Sequence, residues 1–193
     1  MPDNLIQSQI PSAAQQQKDL YNRSSSMVLR GTYSPPSDTP WAILGCTLAG
    51  AVEPGNVPTL LGNVEALAGV TSVHNNFWFE TPDAILAADH DLKLHCTANA
   101  GGTQVLTGQT QSWSERLSDT MTLNSYLDTK VLVFVARLPA MLDDVTALEA
   151  AVGGVTGIGI AKVLLIGEIP DDVSDASLSL EARFRIDPQP VEE

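Results

Sequence analysis

Apolar and polar residues alternate along most of this chain, and that alternation predicts strands over 27–34, 41–49, 71–80, 92–98, 103–117, 130–138, 158–169 and 178–186. The last of these is the most regular. Leu178, Leu180, Ala182, Phe184 and Ile186 alternate with Ser179, Glu181, Arg183 and Arg185, so one face meets a core and the other meets solvent or a partner. By proximity, 158–169 and 178–186 are expected to pair as a hairpin across Pro170-Asp-Asp-Val-Ser-Asp-Ala176. Residues 130–138 (KVLVFVARL) are almost continuously β-branched or aromatic, which predicts a strand covered on both faces. Asn99-Ala-Gly-Gly102 is expected to turn after the strand over 92–98, the 103–117 region divides into short polar strand candidates over 103–106 and 110–117, and Ser34 to Pro40 is a second turn cluster.

The period changes to that of a helix in two places. Leu60, Leu61, Val64, Leu67 and Ala68 share one face, with Asn56 as a cap, Pro58 in the first turn and Gly69 at the end. Leu142, Val145, Leu148 and Val152 share a face over 139–152, with Gly153-Gly154 after it. Glu65-Ala-Leu-Ala-Gly-Val-Thr71 resembles Glu149-Ala-Ala-Val-Gly-Gly-Val-Thr156 with one residue inserted, and both lead into a strand. The segment is either an internal repeat or two helices ended by similar glycine signals. Residues 1–26 differ in kind: rich in Gln and Ser and poor in core-forming residues, they read as an N-terminal arm. A globular domain over 27–187 and a short tail over 188–193 complete the organisation.

Composition narrows the setting. Ten Lys and Arg against 23 Asp and Glu leave a formal charge of −13, which argues against direct binding of nucleic acid or an anionic membrane surface. The acidity is mostly aspartate (14 Asp, 9 Glu) and lysine is scarce (4 Lys, 6 Arg), as in proteins of salt-rich cytoplasm. At roughly 1 M salt the Debye length is about 3 Å, so such a surface repels itself little. Residues 1–7 lack a basic stretch followed by an apolar run, so no signal peptide is expected. The longest apolar stretch, 152–167, is too short to span a bilayer as a helix. Cys46 and Cys96 each fall in an apolar alternation and are expected inside the core; a disulfide between neighbouring strands is the alternative.

Each candidate for chemistry has a structural reading beside it. Gly154-Val-Thr-Gly157-Ile-Gly159-Ile-Ala-Lys162 suggests a phosphate loop, but Ile160 stands where the lysine belongs and the segment leads from helix to strand, the wrong order. Asp89-His90-Asp91 with His95 gathers metal-ligand atoms, yet His90 and His95 face opposite sides of an extended chain. His74, beside two asparagines, suits a turn. Asp171, Asp172 and Asp175 offer oxygens to a hard cation but lack the glycine and distant glutamate of a calcium loop; a solvated hairpin tip, or a cation shared between subunits, are the readings left. Ser112 or Ser114 near Glu115 lacks the frame of a nucleophile elbow. Trp41, Trp78 and Trp113 read as core or interface anchors. No catalytic, cofactor or metal residue is assigned, and a non-enzymatic protein is expected.

About eight strands with two short helices fit a mainly β fold, a single jelly roll or β-sandwich with helices inserted in its connections and an arm at its N-terminus. The alternative is α+β, built of two strand–helix–strand units. In size, acidity, strand content and arm, the chain resembles the small single-jelly-roll major capsid proteins of halophilic, internal-membrane icosahedral viruses. The resemblance is architectural and carries over no residues. It implies a self-assembling virion subunit, formed in the host cytoplasm, whose barrels pack side by side. Its partners would be copies of itself and other virion proteins, in homo- or hetero-oligomers, with arms that link neighbours or face a membrane beneath. Two other functions fit the same sequence: a tail or neck ring protein of a tailed virus, which suits the α+β fold better, and a small-molecule-binding domain or enzyme of a halophile.

Overall fold

The computed structural model describes residues 28–80, 90–123 and 130–188. Its strands are β1 (Val28–Tyr33), β2 (Thr39–Leu48), β3 (Ser72–Glu80), β4 (His90–Leu106), β5 (Gln109–Thr122), β6 (Lys130–Arg137), β7 (Ile158–Ile169) and β8 (Val173–Pro188). Two helices, α1 (Val57–Glu65) and α2 (Thr146–Gly153), follow β2 and β6. The N-terminal arm over 1–26, and all of the C-terminal tail except Pro188, lie outside the described residues.

β6 carries the apolar run, and it is covered on both faces as that run requires: every residue from Val131 to Ala136 is buried. Val131, Val133 and Val135 point to one side and Leu132, Phe134 and Ala136 to the other, each set into a different core. β2 beside it is buried along its whole length. These two strands are the centre of a four-stranded antiparallel sheet of order β3-β6-β2-β7, here sheet B. A second antiparallel sheet, sheet A, has the order β1-β8-β4-β5. The core between the sheets takes Leu94, Cys96, Ala98 and Ala100 from β4 and Leu178, Leu180 and Ala182 from β8. On the far side of sheet B, α1 and α2 lay Leu60, Leu61, Val64, Leu148 and Val152 over Leu44, Cys46 and Phe134. The order of layers is therefore helices, sheet B, sheet A.

The architecture is the mainly β sandwich with inserted helices. Its strands pair first with last, second with seventh, third with sixth and fourth with fifth, nested as in a jelly roll, with β8–β4 and β6–β2 joining the pairs into sheets. The strand–helix–strand units of the alternative are present within it. β2–α1–β3 straddles β6, β6–α2–β7 straddles β2, and the two units interlock into the helix-covered half. The two similar segments sit at matching places in these units. Glu65 Oε1 accepts the Val73 N–H (2.7 Å) and Glu149 Oε1 accepts the Val163 N–H (2.9 Å), so each glutamate ties its helix to an edge strand of sheet B.

Several expectations are corrected. β7 and β8 do not form a hairpin: β7 pairs with β2 in sheet B, and β8 pairs with β1 and β4 in sheet A. The chain crosses between sheets at Pro170-Asp171-Asp172, where the Val173 N–H bonds to the Pro170 carbonyl (3.2 Å). Alternation fixes which face of a strand is buried but not which neighbour it pairs with, and proximity misled.

Asn99–Gly102 is no turn. β4 runs straight through it, and the register shifts between Gly101 and Thr103 against β8. A Cβ on Gly102 would stand 2.5 Å from Val173 Cγ1, so the glycine permits a close strand approach at a bulge. The short strand candidates over 103–106 and 110–117 are the end of β4 and most of β5, and the break between them is the turn at Thr107-Gly108, both with positive φ (50° and 81°). α2 begins at Thr146 rather than at 139, where Asp144 Oδ1 accepts both the N–H (2.9 Å) and the hydroxyl (2.6 Å) of Thr146. α1 ends at Glu65, and the Asn56 side chain does not cap it but turns back to accept the Glu53 N–H (3.1 Å). The cysteines lie in different cores on opposite sides of sheet B, free and buried, which closes the disulfide alternative. Burial pushes both thiols up, Cys96 to about 12.

Candidate interaction surface

The residues singled out for chemistry do not converge. The glycine-rich segment carries the chain from α2 into β7, with Gly157 at φ 100°. A Cβ on Gly159 would stand 2.8 Å from Thr47 Oγ1, and that hydroxyl accepts the Ile160 N–H (2.9 Å). Lys162 is turned to Glu149 (3.3 Å). These glycines bring β7 against β2 and present no helix N-terminus.

His95 lies on the outer face of sheet A with Nδ1 2.9 Å from Thr120 Oγ1. His90 and Asp91 open β4, and Asp89 lies outside the described residues. Among the described residues no group of three or more His, Cys, Asp or Glu side chains is placed to hold a metal ion. His74 is in β3, not in a turn. Its ring stacks on Tyr33 (centroids 3.7 Å apart, planes at 11°) and its Nε2 lies 2.7 Å from Ser72 Oγ.

Of the acidic trio, Asp172 accepts a bond from Gln104 Nε2 (2.8 Å), while Asp175 sits within β8 at φ 50°. Beside them opens a cleft of about 530 Å³ bounded by Ser34–Ser37 and Val105. Ser114 and Glu115 are neighbours on a strand and point to opposite sides, so they make no nucleophile–base pair. Trp41 is wedged between the sheets, where only a glycine fits opposite: a Cβ on Gly167 would lie 2.5 Å from the indole. Trp78 packs on the helix side under Lys130 Nζ (5.8 Å), and Trp113 on the core between the sheets. All three tryptophans are anchors. A smaller apolar hollow, about 220 Å³, lies between Leu67 and Gly69 past α1 and Leu142, Asp144 and Leu148 around α2.

What the structure brings together is a surface. No helix or strand of the described chain covers the outer face of sheet A. Across β8, β4 and β5 it presents rows of short polar and charged side chains: Arg183, His95 and Thr120; Glu181, Thr97 and Ser118; Ser179, Asn99 and Arg116; and Ser177 and Ser114 flanking Gly101. Arg116, Arg183, Asn99 and the β5 side chains are exposed, and Thr97 is buried among its neighbours. Arg183 lies 3.5 Å from Glu181.

Among the described residues β5 is also the open edge of the sheet, fourteen residues long with only Met121 buried. The two-residue turn makes Leu106 and Gln109 a hydrogen-bonded pair. Odd-numbered residues of β5 therefore bond to β4, and the backbone groups of even-numbered ones face outward. Asp119 takes one of these, the Thr120 N–H (2.7 Å). The hairpin tip adds exposed Val105 and Leu106. The alternation of Ser179, Glu181 and Arg183 marks the face in the sequence; the edge could not be read there, because strand order decides it.

Among the described residues no helix is long and apolar enough to cross a membrane. No family model, curated protein or solved structure matches the chain.

Proposed function

We propose that the protein is a structural rather than catalytic component of a virion: a self-assembling capsid subunit of a virus from a high-salt host. It assembles in the host cytoplasm with copies of itself and other virion proteins. The observation that carries this reading is β5. An edge strand of fourteen residues, eleven of them exposed, is more than twice the usual length. Its outward backbone groups are a template for pairing, and proteins that remain monomeric shorten, cover or charge such edges. Glu115, Arg116 and Asp119 carry charge along its length, and among the described residues no strand or helix covers it.

Two variants test the reading in the full chain at high salt. Ser114→Pro removes an outward N–H at an edge position, where proline is tolerated. It should leave the circular dichroism unchanged and reduce assembly in sedimentation velocity. Removal of residues 1–26 should likewise leave the domain folded and impair assembly. A wild-type protein that sediments as a monomer at high concentration, unaltered by either change, would point instead to a ligand-binding protein. One observation favours a second reading, a tail or neck ring protein: the interlocked strand–helix–strand units give sheet B the α+β character expected of that class. Electron microscopy of the assembled material separates closed rings from shells.

A further inference from the structure

We propose that the outer face of sheet A is one half of a head-to-tail contact, and that the acidic helical layer of a second copy of this chain is the other half. The inference rests on the self-assembling reading and adds to it which surfaces meet.

Charge is distributed unevenly over this molecule. Lys93, Arg116 and Arg183 lie on the outer face of sheet A. Among the described side chains of that face the carboxylate is Glu181, so they carry a surplus of two positive charges on a chain of formal charge −13. The opposite side of the molecule is the reverse. Segments 50–71 and 139–157, which hold both helices, contain five carboxylates and no Lys, Arg or His. Lys130 reaches in to Glu53 (2.9 Å) and Lys162 to Glu149 (3.3 Å). Asp143 and Asp144 remain exposed, and hydrogen bonds from Thr146 keep Asp144 ionised.

The two surfaces lie on opposite sides of a three-layer molecule, so one copy can use both at once. Such a heterologous contact closes into a ring or continues as a filament or sheet. The area suffices. Three strands with about fourteen paired residues each and β1 with six, at about 3.3 Å per residue and about 4.8 Å between strands, give roughly 760 Å², comparable with the about 800 Å² per partner of a stable interface. A surplus of two charges is too small to hold a polyanion against the repulsion of the rest of the chain.

The test uses two charge-reversed full-length proteins, R116E/R183E on the sheet face and D143K/D144K on the helical layer, followed by sedimentation velocity at low and at molar salt. Each alone should self-associate about a hundredfold more weakly than wild type at low salt, the cost of facing like charges. The deficit should shrink at about 1 M salt as screening shortens. Mixed together they should recover assembly, since each supplies the face the other lacks. Asp143→Lys alone, which leaves the Asp144–Thr146 bonds in place, should act in the same direction with an unchanged melting midpoint. Wild type that assembles while both reversals assemble equally well, or a mixture that recovers nothing, overturns the contact and leaves the assembly reading standing. Wild type that stays monomeric at every salt concentration overturns both. Binding of a short DNA duplex, lost in R116E/R183E, would identify the face as a polyanion site and overturn the contact.

Discussion

Sheet B and sheet A are made by one chain and share a core, yet they answer to different constraints. All ten positions of β2 are buried, because helices cover one side of sheet B and sheet A covers the other. In β5 one position of fourteen is buried. A strand covered twice must be apolar at every residue, whereas a strand covered once is free to choose half of them. Sheet B therefore carries the stability of the fold, and sheet A carries the residues free to serve contacts.

The sharpest way to break that contrast is to truncate a side chain in each sheet. Phe134, buried in β6 against the helices, should cost about 3–5 kcal/mol when replaced by Ala, from lost burial and the cavity left behind. Ser112→Ala, on the exposed face of β5, should stay within about 0.5 kcal/mol. Urea denaturation midpoints at fixed salt measure both. Comparable losses at the two sites would mean that sheet A is as deeply built into the monomer as sheet B.

The same contrast explains how much of the fold was legible. Residues 130–138 announce two-sided burial, since continuous Val, Leu and Phe leave no side for water, and β6 shows it. Alternation likewise showed that Ser179, Glu181 and Arg183 share a face away from the core. What failed was neighbour choice. β7 and β8 are separated by a short polar link and each would suit a hairpin, but hydrogen bonding to β2 and β4 decides their sheets, and no local pattern encodes that. Gly101-Gly102 reads as a turn from composition. Its need for glycine comes from β8, some seventy residues away, whereas the gap left between the strand candidates 103–106 and 110–117 is the turn at Thr107-Gly108. The candidate surface was hidden for the same reason: Arg116, Lys93 and Arg183 come onto one face only when β5, β4 and β8 are laid in order.

A smaller effect tests whether the two similar segments are equivalent parts of sheet B. Glu65 and Glu149 each accept one strand N–H, but Glu149 is less exposed and also receives Lys162. Replacing either by Ala leaves an edge-strand N–H without its partner, at about 1 kcal/mol. Glu149→Ala should cost more than Glu65→Ala, because water replaces the exposed carboxylate more readily. Thermal melts of the two single variants and the double variant settle the order. The two losses should add, because the sites tie down opposite edges of the sheet.

The smallest effect lies where the two sheets touch at their margin. His74 of β3 stacks on Tyr33 of β1, and its pKa is held below the ordinary 6.5 chiefly by burial, with Glu65 pulling it up and Arg137 pushing it further down. A lowered folded pKa means that the unfolded chain takes up the proton first as pH falls. The neutral ring's contribution is then complete above pH 6.5 and is lost progressively as pH drops toward and through the lower folded value. Wild type should therefore lose stability between pH 7 and pH 5.5 relative to His74→Phe, which keeps a ring against Tyr33 and cannot titrate. The difference should be small, since the ring is only partly buried and solvent screens its charge. Parallel stability curves for the two proteins over that interval would show that protonation at this margin costs the fold nothing, and that the Tyr33–His74 stack is a contact of shape alone.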